Sequence, residues 1–231
     1  MNYTNILTIK FSNHISKEEI PLFRGAVIST LEQNNILFHN HNDDNSLRYS
    51  YPLIQYKRIG GCAAIVCIGE GTEAINDYFH NFKAKIMLGA RSISLEVQNV
   101  RPHRMLIQIW NDTIPYKITS WLPFNQENYQ AYQKMESMNE RLAFLERILT
   151  GNILSFAKGI GIHFEQQITC SISEILRTDI IEYKNIKMTS FNLLFKSNVS
   201  LPDNIGLGKG VSLGNGTIHM IKTKNTQNTT E

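Results

Sequence analysis

Hydrophobic positions along the chain recur with two periods, and each change of period marks an element. Tyr3 to Phe11 alternates with a period of two and predicts a strand. Ser16 then predicts a helix N-cap, with Glu18 and Glu19 at the positive end of a helix running to about Gln33. Ile20, Phe23, Val27, Ile28 and Leu31 share one side of that helix. The stretch from Ile36 to Gly61 predicts two strands around the polar loop Asn42 to Ser46, the second over Tyr49 to Lys57. Cys62 to Ile68 is apolar throughout, as in a central strand. Gly69-Glu70-Gly71 turns the chain into a helix from Thr72 to about Phe82. Strands are expected at Lys85 to Leu88, Ser92 to Asn99 and Met105 to Trp110. That order is the order of a ferredoxin-like unit.

A second pass follows Asp112. Pro115 to Leu122 predicts a strand, and Asn125 caps a helix with Glu127 in its first turn. Met138, Leu142, Leu145 and Leu149 form a helical stripe whose simplest account is core packing. Gly151 and Gly159 are expected to break that helical region. Strands are expected over Gln167 to Ile175 and Ile186 to Phe195, with a further one at Asp179 to Tyr183. The glycine-rich piece Ile205 to Gly216 leads into a strand over Thr217 to Ile221. The fold class is therefore α+β in two halves, residues 1–112 and 113–222, with a polar tail at 223–231.

Composition narrows the class. A length of 231 residues at 42% hydrophobic content supports one large core or two small ones. The net charge of +3 is too mild to announce nucleic-acid binding, so a basic surface has to come from local clustering. Cys62, Cys67 and Cys170 form no CxxC pair, which suggests reduced thiols rather than zinc ligands or disulfides. No basic start followed by a long apolar run is visible, and the apolar run at Cys62 to Ile68 is too short to span a bilayer. The expected setting is cytoplasmic, away from membranes.

The chemistry concentrates in Ile36 to Gly61. On a strand, His39 and His41 would stand side by side, about 6 to 7 Å apart. Histidine titrates near neutral pH, so the pair suits a general acid and a general base on opposite sides of one phosphodiester. Tyr49 and Tyr51 add hydroxyls close by. Lys57 and Arg58, interleaved with Tyr51 and Tyr56, suit backbone contacts and base stacking on single-stranded RNA. Arg91, Arg101 and Arg104 read more simply as a solvated face. A metal reading stands beside this one: His39-x-His41-x-Asp43-Asp44 nearly spells a zinc-hydrolase motif, although Asp44 replaces its last histidine and no second ligand set is recognisable. Gly206, Gly208, Gly210, Gly214 and Gly216, with Lys209 among them, would let backbone N–H groups approach a phosphate. A mobile hairpin loop explains the same composition.

These residues carry a resemblance. Phe38-His39-Asn40-His41, the run from Arg48 to Lys57 and Gly69-Glu70-Gly71 resemble the CRISPR-associated repeat-processing endoribonucleases, the Cas six family, in the subtype with an N-terminal histidine pair. Gly206 to Gly216 is similar to the glycine-rich loop of the wider RAMP superfamily. Asn215 departs from that pattern, because an aromatic often sits between the last two glycines. The resemblance implies two tandem ferredoxin-like (RAMP-type) domains and metal-independent cleavage within CRISPR repeat RNA, without a cofactor. It further implies His39 and His41 as the catalytic pair, with Tyr49 or Tyr51 a helper and the five glycines against RNA. A CRISPR effector complex and a homodimer are compatible settings. A non-catalytic RNA-binding subunit and a zinc hydrolase are the rival readings.

Overall fold

The computed structural model describes residues 2–31, 36–39, 51–80 and 82–222. The first half begins with β1 (Tyr3–His14). Its side chains leave alternately toward two cores, Ile6 into one and Ile9 and Phe11 into the other. Helix α1 (Ile20–Ile28) starts with Pro21 in its first turn, where a missing N–H costs nothing, and buries Ile20, Phe23, Ala26 and Val27. Ser16 does not cap it. The Ser16 N–H is instead held by the Glu19 carboxylate at 2.8 Å, so the helix begins later than the sequence suggests and also ends sooner.

A second correction concerns Ile36 to His39, which form a short helix, α2, and not a strand. Three consecutive apolar residues fit either conformation, and tertiary packing decides. Phe38 is 2% exposed in the helix-side core, and its carbonyl accepts from Arg24 Nη2 at 3.3 Å. The chain then forms β2 (Ile54–Ile59), β3 (Cys62–Ile68), α3 (Gly71–His80), a small hairpin of β4 (Lys85–Leu88) and β5 (Arg91–Ser94), and β6 (Val97–Leu106). The antiparallel sheet runs β2-β3-β1-β6, and β3 lies inside it with all seven residues buried. The single strand expected over Ser92 to Asn99 is divided between β5 and β6.

The second half repeats the plan with β7 (Ile109–Trp121), α4 (Gln126–Gln133), α5 (Met138–Gly159), β8 (Cys170–Tyr183), β9 (Ile186–Val199) and β10 (Thr217–Met220). Its sheet runs β10-β7-β9-β8. In both halves the last strand flanks the first and the third lies between first and second, so the fold is two tandem ferredoxin-like units. The chain changes sheets between Leu106 and Ile109, and Asp112 lies inside β7. Gly151 does not break α5. The capping box of Ser137 and Glu140 opens the helix, and Phe144, Leu145, Leu149, Ile153 and Phe156 hold it down on both sides of the glycine.

In the second unit no helix fills the place taken by α3 in the first. The glycine-rich stretch, residues 205–216, occupies it as a loop with one 3₁₀ turn at Val211–Leu213. The units share a core. Ile6, Tyr51, Leu53, Val66 and Ile68 of the first pack with Tyr116, Trp121, Phe156, Phe195, Leu207 and Ile218 of the second. Among the described residues no helix is long and apolar enough to cross a membrane.

Candidate nucleic-acid interface

Residues 51–57 sit directly beneath the glycine-rich loop. Ile54 and Tyr56 point into the helix-side core, so Gln55 and Lys57 point the other way, toward the loop. Gln55 Oε1 accepts the Gly206 N–H at 3.0 Å, and Gln55 Nε2 donates to the Tyr51 hydroxyl at 2.9 Å. The Tyr51 hydroxyl in turn donates to the Gly206 carbonyl at 2.8 Å. Two positions further on, Lys57 Nζ donates to the Val211 carbonyl and to Thr217 Oγ1, both at 3.2 Å. Both polar groups of the Gly206 backbone are thus satisfied by the first unit.

This geometry gives Tyr51 and Lys57 places beneath the loop. Tyr51 is buried, its ring packs edge-to-face on Phe156 at 5.2 Å, and its hydroxyl is taken up by Gly206 and Gln55. Burial also pushes its phenol well above the usual range. The side chain ties the loop to the shared core. Lys57 is 1% exposed and has no carboxylate among its bonded partners, so desolvation brings its ammonium down to about 7. It braces the loop from below. Arg58, the next residue, is exposed, and its Nε donates to the Ile15 carbonyl at 2.6 Å.

The glycines also let the loop pack closely on the protein. Gly206 and Gly216 are buried, and Gly208, Gly210 and Gly214 are half-buried. A Cβ on Gly206 would stand 2.8 Å from the Asn215 carbonyl oxygen and 3.0 Å from Lys57 Nζ, so only glycine lets the loop lie this close to β2. A Cβ on Gly214 would stand 2.8 Å from Ile20 Cδ1 on α1. Lys209 is the exposed member, with its N–H bonded to the Leu122 carbonyl at 3.1 Å.

His39 is the last residue of α2. His41 and Tyr49 lie outside the described residues, as do Asp43 and Asp44 of the zinc-like motif. Among the described residues no group of three or more His, Cys, Asp or Glu is placed to hold a metal. Of the remaining cations, Arg91 pairs with Glu19 at 2.6 Å and Arg104 lies over the Tyr3 ring at 4.8 Å. Arg101 lines a polar cleft of about 510 Å³ between the units, together with Lys10, His103 and Asp203.

Gln55 and Thr217 carry structural roles that sequence reading did not assign. A faint signal exists for Gln55, which with Lys57 gives two long polar side chains at i and i+2 on one face of a strand.

Both units match known families over their lengths. The family model of the Cas6b N-terminal domain matches residues 2–105, and that of the Cas6b C-terminal domain matches residues 108–221. The chain therefore belongs to the Cas6b family. A crystal structure of Cas6b superposes with a TM-score of 0.86 at 26% identity, covering 95% of this chain and 100% of that one. A second, described as the CRISPR RNA processing endoribonuclease Cas6b, gives 0.73 at 24% identity with the same coverage and supports the fold. An uncharacterized protein of Methanocaldococcus jannaschii is 32% identical over 106 residues, covering 46% of this chain and 71% of that protein.

Proposed function

We propose that the chain is a metal-independent endoribonuclease that cuts CRISPR precursor RNA within its repeat. The observation that carries this reading is the latch of the glycine-rich loop onto β2, the strand that follows the segment bearing His39 and His41. Membership of the Cas6b family supports the same reading.

The ribose 2′-hydroxyl is the nucleophile. One imidazole of the His39–His41 pair takes its proton as the 2′-oxygen–phosphorus bond forms. The other gives a proton to the 5′-oxygen as the phosphorus–O5′ bond breaks. The products are a 2′,3′-cyclic phosphate (or the 3′-phosphate after its hydrolysis) and a 5′-hydroxyl. Tyr49 acts as the helper at this centre. Arg58 and Lys209, both exposed, offset charge that grows on the pentavalent phosphate. Because the nucleophile belongs to the substrate, no metal-activated water is required.

The test uses labelled repeat RNA in EDTA, beside RNA with one 2′-deoxy sugar at the scissile position. Cleavage of the first and not of the second is the expected result. Cleavage of both, or of neither until zinc is restored, would overturn the reading.

A further inference from the structure

The second unit carries a cleft of about 620 Å³ between the tip of the β8–β9 hairpin, the start of α4 and the Lys209–Gly210 corner of the glycine-rich loop. Phe124, 2% exposed, forms its floor. Tyr129, whose ring lies 5.9 Å from that of Phe124, is 41% exposed and Ile186 63% exposed at its walls. Tyr183 lies directly across the hairpin from Ile186, held there by a two-residue turn in which Lys184 and Asn185 both take positive φ. Lys184 Nζ sits 5.9 Å from the centre of the Tyr183 ring. Lys187 and Lys209 complete the rim, and the lining holds three lysines and no carboxylate.

We propose that this cleft takes an unstacked nucleobase of single-stranded RNA, with its ring against Tyr129 and Tyr183 and its flanking phosphates on Lys184 and Lys187. The proposal rests on the RNA-processing reading above and deepens it. Aromatic rings serve any base because every base has a π-face, and lysines around the rings meet the phosphates on each side. The volume lies within the range of small-molecule pockets, so it accommodates a base with its sugar. An acidic peptide would use the lysines but would leave the exposed rings unmatched. Gly210 belongs to the same cleft, because a Cβ there would press on the Tyr183 ring at 2.9 Å.

The test measures equilibrium binding of repeat RNA made uncleavable by a 2′-deoxy sugar, together with a series carrying one abasic site at successive positions. Tyr129→Ala and Tyr183→Ala are each expected to weaken binding about 5- to 150-fold, the value of one stacked base. One abasic position should reproduce that loss and add nothing further in the Tyr183→Ala protein, whereas Tyr183→Phe should restore binding and so exclude misfolding. If the parent binds this RNA while both alanine variants bind as well and the abasic series is flat, the cleft proposal fails alone. If the parent binds no RNA, the wider reading fails with it. A polyglutamate peptide bound by the parent and lost in the same variants would give the cleft to a protein partner and overturn the proposal.

Discussion

The Tyr51 hydroxyl donates to the Gly206 carbonyl at 2.8 Å, joining positions 155 residues apart in sequence. Through that bond and the two made by Gln55, the first unit fixes where the loop of the second begins. Tyr51→Phe keeps the ring on Phe156 but leaves the Gly206 carbonyl without its buried donor, while the Gln55 amide keeps its bonds to the Pro52 carbonyl and the Gly206 N–H. It should cost about 1–3 kcal/mol of stability in urea unfolding. Cleavage per folded molecule should remain close to the parent rate. A Tyr51→Phe protein of parental stability that cleaves poorly would return this tyrosine to the chemistry.

Lys57 gives a pH dependence with a definite sign. Its folded-state pKa, about 7, is below the 10.5 of an exposed lysine. Below pH 7 it is protonated in both states, and the cost of burying its charge is present in full. Above pH 7 the folded protein releases that proton while the unfolded chain keeps it, so stability rises with pH by up to about 1.4 kcal/mol per unit. Unfolding of the parent and of Lys57→Met at pH 7, 8 and 9 should show their difference moving steadily in the parent's favour. A constant difference would mean that Lys57 titrates normally.

Two glycines of α5 should respond oppositely to the same change. A Cβ on Gly151 meets nothing within 4 Å, so Gly151→Ala should stabilise the helix by about 0.5–1 kcal/mol. A Cβ on Gly159 collides with the Cβ of Tyr51. Gly159→Ala should therefore cost about 1–3 kcal/mol, as overpacking does. Thermal unfolding of the two variants measures both shifts, and an equal response would contradict the packing of α5 on residue 51.

Much of the fold is legible in the sequence because its signals are local. The run Cys62 to Ile68 reads as an inner strand without reference to anything else, and so does the cap at Asn125 once the periodicity behind it is seen. Ile54-Gln55-Tyr56-Lys57 shows where local signals end. Alternation there predicts a polar face in solvent, yet both faces are buried, because a loop more than a hundred residues away supplies the partners. The same distance hides the use of Gly206: its spacing reads as phosphate binding, while what it approaches is Lys57 and Asn215. Ile36-Leu37-Phe38 fails differently. Three apolar residues in a row carry no period, and Phe38 in the core settles the helix.

The central claim is that two imidazoles move the protons of the cleavage step. Single-turnover cleavage of repeat RNA by His39→Ala and by His41→Ala measures this directly, with binding of the uncleavable RNA as control. Each variant should bind nearly as well as the parent and cleave about 10²–10⁴-fold more slowly. Parental rates in both would contradict the account.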